Sequence, residues 1–124
     1  DCQVHQNYKP ENWPREALSF LSFIEYGEGL TCKIAFKGQD IDLVYDQLVL
    51  SHEKVKLYKI RNGILHESTL NNFLDVAGWT EIEISMSTNQ LILKFWNTTA
   101  LNYTVDQQVD KLYVYGSNIT VCSN

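Results

Sequence analysis

Short stretches in which apolar and polar residues alternate recur along almost the whole chain. In residues 80–86, the apolar-side positions Thr80, Ile82, Ile84 and Met86 are separated by Glu, Glu and Ser. Alternation with a period of two is typical of a β-strand with one buried face. The pair Asn62-Gly63 follows another such stretch and is the strongest short hairpin signal, because both residues tolerate positive φ. The pattern predicts antiparallel strands joined by tight turns.

The same alternation indicates eight strands. We predict them at residues 18–24, 30–36, 41–50, 55–61, 64–68, 80–86, 90–96 and 111–116. Residues 69–78 are the one candidate for a short helix or a wider loop, and residues 97–110 read as a connection with one short edge strand. Short strands with regularly spaced turns predict an all-β fold, an antiparallel two-sheet β-sandwich or jelly roll. An immunoglobulin arrangement is disfavoured, because its Cys…Trp…Cys spacing is missing.

The chain length and composition predict one domain over residues 1–124. Hydrophobic residues make up 44% and charged residues 20% of the 124 residues, which is ordinary for a globular domain. Residues 1–16 contain both prolines and are expected to form an extended N-terminal arm that packs through its aromatic side chains. No apolar run is long enough for a transmembrane helix. The first residues do not resemble a signal peptide, so for a secreted protein we expect a mature form or an excised piece of a larger protein.

The net charge of -5 argues against a nucleic-acid partner. The ten Lys and Arg residues are scattered along the sequence, and the densest group, residues 54–61, follows an acidic residue. No basic stripe is therefore predicted.

Three N-glycosylation sequons lie in the last third of the chain. They begin at Asn97, Asn102 and Asn118, each followed two residues later by Thr. Only the secretory pathway modifies this motif, and the acceptor has to be exposed. The sequons predict a secreted or cell-surface glycoprotein; the alternative is an Asn- and Thr-rich cytosolic β protein.

Three cysteines cannot all pair within one chain. Cys32 lies in an apolar strand pattern, which favours a buried free thiol. Cys2 and Cys122 lie near the two ends, and termini are often close in compact domains, so we predict a Cys2–Cys122 disulfide. The alternatives are Cys2–Cys32, Cys32–Cys122 or a bond to another chain.

The sequence shows no catalytic motif. The three histidines lie in separate segments, no phosphate-binding loop is present, and we predict no catalytic residue, metal or cofactor. Asp40, Asp42 and Asp46 lie close enough in the sequence to suggest a calcium site. Their spacing fits no calcium loop, however, and we interpret them as part of a solvated strand face. A pair of carboxylates, Glu81 and Glu83, is interpreted as the wet side of a half-buried strand rather than a hydrolase site.

Aromatic residues are frequent, with three Trp and seven Tyr. We predict that Trp79, at a strand start, fills the core. Trp96 is expected on an outer face, where a Trp can stack on a sugar or anchor a protein partner. Trp96, Tyr113 and Tyr115 are the candidate binding residues.

Three segments in sequence order resemble the farnesoic acid O-methyltransferase-like domain of arthropod secreted and cell-surface proteins. Residues 30–36 (Leu-Thr-Cys-Lys-Ile-Ala-Phe) followed by 40–43 (Asp-Ile-Asp-Leu) resemble its strand and acidic turn. Residues 57–60 (Leu-Tyr-Lys-Ile) resemble its Tyr-containing strand. Residues 78–84 (Gly-Trp-Thr-Glu-Ile-Glu-Ile) with 90–93 (Gln-Leu-Ile-Leu) resemble its Trp-centred hairpin.

The resemblance covers at most residues 30–116, and residues 61–66 depart from the family's Gly-x-x-Asn-x-x-Ser segment. It implies a β-sandwich that serves as an extracellular interaction module, and it carries over neither methyl transfer nor any functional residue.

The leading prediction is an extracellular, N-glycosylated recognition domain without enzymatic activity that binds a protein partner, as part of a receptor ectodomain or a secreted factor. The alternatives are a lectin-like domain that binds carbohydrate through aromatic and acidic side chains of its loops, with or without calcium, and a secreted hydrolase that uses paired carboxylates.

Overall fold

The computed structural model describes residues 1–38 and 44–123. Ten strands make up this part of the chain, and every paired neighbour runs antiparallel. They are β1 (Cys2–Tyr8), β2 (Leu18–Ile24), β3 (Cys32–Lys37), β4 (Val44–Leu50), β5 (Val55–Arg61), β6 (Ile64–Asn71), β7 (Gly78–Ser87), β8 (Gln90–Phe95), β9 (Thr98–Thr104) and β10 (Lys111–Cys122). The prediction of an all-β antiparallel fold is confirmed.

The strands form one sheet in the order β6-β5-β4-β3-β10-β2-β7-β8-β9, and β1 pairs with β10 beside this path. The two ends of the sheet approach each other, since the Asn71 amide at the end of β6 donates a hydrogen bond of 2.9 Å to the Ala100 carbonyl in β9. The sheet is therefore strongly curved, and its inner face encloses the core.

The long strand β10 joins the two halves of the sheet. Its first half, from Lys111 to Gly116, pairs with β3, and its second half pairs with β2 at Thr120. The change of partner coincides with Asn118, whose φ is +58°. Asn adopts the left-handed conformation more readily than most residues, so it permits a bend within the strand. The sequence predicts a strand only over residues 111–116, and in the structure the strand continues through the bend to Cys122.

Inward-facing side chains from both halves fill the core. The largest fully buried ones are Phe36, Ile24, Ile34, Leu48, Leu50, Ile82, Ile84, Leu91, Leu93, Leu112, Ile119 and Val55. They occupy alternate positions of their strands, as period two requires. Trp13 of the N-terminal segment also packs into the core, and its indole N–H lies 3.4 Å from the Ile84 carbonyl oxygen.

The predicted Asn62-Gly63 hairpin is present, and a second hairpin joins the strands predicted at residues 80–86 and 90–96. Asn62 and Gly63 have φ values of +53° and +78° between β5 and β6, as a type I′ turn requires. Thr88 has a φ of +56° in the turn between β7 and β8. In the segment 69–78, by contrast, β6 continues to Asn71, residues 72–77 form a loop and β7 begins at Gly78, so the short helix was the wrong alternative.

Three side chains lie on the opposite face of the sheet, or at the opposite degree of burial, from what the sequence predicts. Asp46 is fully buried, because Leu48 and Leu50 set the inward face of β4 and Asp46 shares their alternation. Trp79 is 49% exposed, because Thr80 and Ile82 take the inward positions of β7. Leu30 precedes β3 and is exposed rather than buried. Asp40 and Asp42, the other members of the predicted acidic group, lie outside the described residues.

Cys2 and Cys122 form a disulfide, and they are direct partners in the register of β1 and β10. Cys32 is a free thiol that is fully buried in the core. Burial raises the pKa of the Cys32 thiol to about 12, so almost no thiolate is present at neutral pH.

We expect Cys32 to resist alkylation in the folded protein, since the thiolate is the reactive form and the side chain is inaccessible. Intact mass after iodoacetamide treatment at pH 8 without denaturant should show no added group. The same treatment in guanidinium should add a single group, which serves as the control. Full labelling of the folded protein within minutes would contradict a buried thiol.

Candidate functional site: a tyrosine-lined sheet face

Four tyrosines point outward from neighbouring strands of one half of the sheet. We call this surface the tyrosine face, defined by Tyr45 on β4, Tyr58 on β5, and Tyr113 and Tyr115 on β10. The strand register places Tyr113 beside Ala35, Ala35 beside Gln47, and Gln47 beside Tyr58. The alternating neighbours in each strand, among them Phe36, Leu48, Leu57 and Leu112, are buried in the core. These tyrosines are therefore half-buried on the outer surface rather than part of the core.

A small residue in the middle of this face leaves room between the rings. Ala35 lies at an outward position of β3 and is nevertheless only 4% exposed. Next to it, a shallow groove of about 370 Å³ is lined by Lys33, Tyr45, Gln47, Val49, Tyr58 and Leu65. The groove combines two aromatic rings with an amide and an ammonium group. Ligand sites typically have this character, apolar walls with a few placed polar groups.

Contacts within the sheet hold the rings in place. The Tyr113 and Tyr115 rings stack, with centroids 6.3 Å apart and planes inclined by 18°. The ammonium group of Lys37 lies 5.4 Å from the centre of the Tyr45 ring and 6.0 Å from that of Tyr113. Cation–π contacts of this kind favour a fixed ring orientation. These contacts are made within the protein and need no ligand.

Glu67 on β6 anchors the far side of the groove. It accepts hydrogen bonds from the Lys56 ammonium group at 2.9 Å and from the Tyr58 hydroxyl at 3.2 Å. The hydrogen bond from Lys56 is the main reason that the pKa of Glu67 lies below its ordinary value, and the Tyr58 hydroxyl adds to the effect. The carboxylate therefore stays ionised and keeps the Tyr58 hydroxyl oriented.

The chain has a galectin-like fold. It superposes on sheep galectin-11, in a complex with glycerol, with a TM-score of 0.69 at 11% identity, over 98% of this chain and 93% of that one. A homodimeric agglutinin from chicken liver, CG-16, superposes with a TM-score of 0.54 at 13% identity, over 99% and 97% of the two chains.

The carbohydrate-binding module CBM66 from Bacillus subtilis shares the fold with a TM-score of 0.52 at 12% identity, over 98% of this chain and 73% of that one. No family model matches the sequence, and no curated protein matches it significantly. At sequence identities this low, the similarity concerns the fold and does not extend to the side chains of the site.

A second aromatic surface lies on the other half of the galectin-like sheet. We call it the tryptophan patch, defined by Phe23, Trp79 and Trp96. The rings of Phe23 and Trp79 meet edge to face with centroids 5.7 Å apart, and Trp96 is 56% exposed. Trp96 has a φ of +48°, in the turn between β8 and β9 rather than in the predicted strand. The structure therefore separates Trp96 from Tyr113 and Tyr115, the other two predicted binding residues.

All three sequon asparagines are exposed, and none lies on the tyrosine face. Asn97 follows Trp96 in the turn, with a φ of +64°, Asn102 lies on β9, and Asn118 lies at the bend of β10. Their positions leave the outward surface of β3 to β6 uncovered.

A further cleft, of about 580 Å³, lies at one end of the sheet. Its lining in the described part of the chain is Pro14, Met86, Thr88, Asn89, Val105, Asp106, Gln107, Gln108 and Val109. It contains no aromatic ring and no histidine or cysteine. The absence of such groups makes it a weaker candidate for a binding site than the tyrosine groove, in spite of its size.

Within residues 1–38 and 44–123, no group of three or more His, Cys, Asp or Glu side chains is arranged to hold a metal ion. His52 is buried, and both of its ring nitrogens have partners within the fold. Its Nδ1 accepts a hydrogen bond from the Gly27 N–H at 3.2 Å, and its Nε2 lies 3.1 Å from an Asp75 carboxylate oxygen.

The described part of the chain also contains no helix with the length and hydrophobicity that a membrane crossing requires.

Sequence reasoning missed Lys33, Tyr45, Gln47 and Tyr58, which line the groove. None of the four lies in a catalytic or binding motif, and the family resemblance carries over no functional residue. Their common feature is an outward position on β3, β4 and β5, which becomes visible only when the strand register is known.

Proposed function

We propose that this chain is a carbohydrate-binding, lectin-like domain and that the tyrosine face is its binding surface. The observation that carries the proposal is the groove in which the Tyr45 and Tyr58 rings stand beside the Gln47 amide and the Lys33 ammonium group. Support comes from the fold that the chain shares with a galectin, an agglutinin and a carbohydrate-binding module.

The chemistry of the groove suits a sugar. A pyranose ring presents C–H groups on its faces and hydroxyls on its rim. Aromatic rings supply large, rigid surfaces for the C–H face. The amide group can donate hydrogen bonds to the hydroxyls and accept them, and the ammonium group donates to the hydroxyl oxygens. Because the Tyr58 hydroxyl is already held by Glu67, little conformational entropy is lost when a ligand is bound.

The wider biological setting is part of the same proposal. The domain acts outside the cell, carries N-glycans at Asn97, Asn102 and Asn118, and has no enzymatic activity. Its curved sheet works as two layers of a sandwich around one core, in a single domain over residues 1–124. The resemblance to the farnesoic acid O-methyltransferase-like domain stays a prediction and is compatible with an extracellular β module.

The test is saccharide binding by variants of the two aromatic surfaces. We expect Tyr58→Ala to weaken binding about tenfold or more, since Tyr is enriched among the contact residues whose truncation costs about 2 kcal/mol or more. The ligand would be found by screening an immobilised glycan library, and affinities would be measured by isothermal titration calorimetry.

Trp96→Ala is the matched control, because it removes an exposed aromatic ring from the opposite half of the sheet. It should leave the affinity unchanged within about twofold. Loss of binding in Trp96→Ala with full binding in Tyr58→Ala would move the site to the tryptophan patch, and a lack of binding to any glycan would reject the lectin function.

The second candidate function is binding of an extracellular protein through the tryptophan patch. The exposed Trp79 and Trp96 rings favour it, because Trp is enriched among residues that dominate protein interfaces. In that case, pull-down of a partner would depend on Trp79 and Trp96 and would be insensitive to Tyr58.

A further inference from the structure

The tyrosine face carries an excess of positive charge, in a chain whose net charge is -5. The lysines at or reaching over this face are Lys9, Lys33, Lys37, Lys56 and Lys111. Among the described outward positions of β3, β4, β5, β6 and the first half of β10, the only carboxylate is Glu67, and it pairs with Lys56. The remaining four lysines have no carboxylate within 4 Å in the described part of the chain.

Two of these lysines are direct cross-strand neighbours. Lys37 on β3 and Lys111 on β10 are partners in the register, and both follow the outward alternation that Phe36 and Leu112 impose. Like charges directly opposite each other destabilise a sheet. The Lys37–Lys111 pair therefore works against the strand pairing in which it lies. Residue choices that oppose the local structure are expected mainly at functional sites.

The positions of the lysines connect the charge to the groove. Lys33 lines the groove itself, and Lys37 stands between the Tyr45 and Tyr113 rings. Lys9 also reaches over Tyr113, with its ammonium group 5.9 Å from the ring centre. An elongated ligand lying across the rings would therefore meet ammonium groups along its length.

We propose that the domain binds anionic saccharides, that is, sugar chains that carry sulfate or carboxylate groups. The inference rests on the proposed carbohydrate function and adds the ligand class. The rings provide stacking surfaces for the sugars, and the lysine ammonium groups pair with the sulfate or carboxylate substituents. A neutral saccharide has no such charged partner for the lysines.

The experiment compares polymers with one backbone and different charge. Dextran, carboxymethyl-dextran and dextran sulfate of equal length would be titrated against the protein at about 50 mM and about 200 mM NaCl, with polyglutamate as a polyanion that contains no sugar. We expect at least tenfold tighter binding to one or both anionic dextrans than to dextran, and weaker binding at the higher salt concentration, since exposed ion pairs are screened.

Lysine variants locate the effect. Replacing Lys33, Lys37 and Lys111 together by glutamine should weaken binding of the anionic dextran about tenfold, since each exposed ion pair contributes a factor of about two to five. Lys94→Gln, on β8 in the other half of the sheet, is the matched control and should leave the affinity unchanged. A folded variant with unaltered affinity for the anionic dextran would overturn the inference.

The outcomes separate the two proposals. Binding of neutral glycans from the library without any preference for charged dextrans would reject the anionic class and leave the lectin function standing. Equal binding of polyglutamate and dextran sulfate would show a surface that attracts any polyanion, and it would overturn the inference of an anionic saccharide site. Binding of carboxymethyl-dextran but not dextran sulfate, or the reverse, would support the class and identify which anion is recognised.

Discussion

Replacing both Cys2 and Cys122 by serine is expected to lower the free energy of unfolding by about 4–5 kcal/mol. The bond closes a loop with a sequence separation of 120 residues, and in the chain-entropy model a loop of about this length stabilises the fold by that amount. The free energy would be measured by urea unfolding monitored by Trp fluorescence. A loss of this size is a large fraction of the stability of a single domain.

The wild-type protein provides the control for the disulfide prediction. Reduction by dithiothreitol should lower its urea midpoint to that of the double serine variant, whereas the variant itself should not respond to the reductant. A double variant that unfolds at the same urea concentration as the oxidised wild type would contradict a contribution from this bond.

Replacing Arg61 by methionine is expected to cost about 3–5 kcal/mol of stability, because it leaves a buried carboxylate without its cation. Asp46 is fully buried in the core side of β4, and its Oδ1 lies 2.8 Å from the Arg61 guanidinium. The same guanidinium pairs with Asp106 in the loop before β10. Arg61 therefore links the end of β5 both to the core, through Asp46, and to that loop, through Asp106.

A matched substitution and a double variant make this prediction specific. Lys59→Met removes only the partly exposed pair with Asp106 at 3.2 Å, and it should cost less than about 1 kcal/mol. Adding Asp46→Leu to Arg61→Met should restore most of the lost stability, since an apolar pair replaces a buried ionic one at little cost. Equal losses for Arg61→Met and Lys59→Met in urea unfolding would contradict the proposed role of the buried carboxylate.

Most strands could be predicted because their signal is local. In β7, Ile82 and Ile84 alternate with Glu81 and Glu83, and burial of one face follows from the pleat of any strand with this pattern. Asn62-Gly63 determined a hairpin in the same way, because the turn depends on the conformations that these two residues allow.

The direction of a side chain was predicted less well where the pattern is uniform. Tyr45, Asp46 and Gln47 all carry polar groups, so no alternation of apolar and polar residues shows which of them faces the core. We therefore predicted from the sequence that Asp46 lies on a solvated face. The buried position of Asp46 depends on Arg61, which lies 15 positions later in the sequence and adjoins it only after β4 and β5 have paired. No local rule identifies a charge partner of this kind.

The sequence by itself determined an all-β antiparallel fold and a buried, unreactive position for Cys32, because these follow from period-two alternation and turn residues. It also identified Tyr113 and Tyr115 as candidate binding residues. Only the tertiary structure decided what surrounds them. The strand order β5-β4-β3-β10 brings Tyr58, Tyr45 and Lys33 onto the same face as Tyr113, although the four residues span 81 positions of the chain. Lysines that are scattered in sequence become one positive surface for the same reason, since sheet neighbours are set by long-range hydrogen bonds and shared core packing rather than by local pattern.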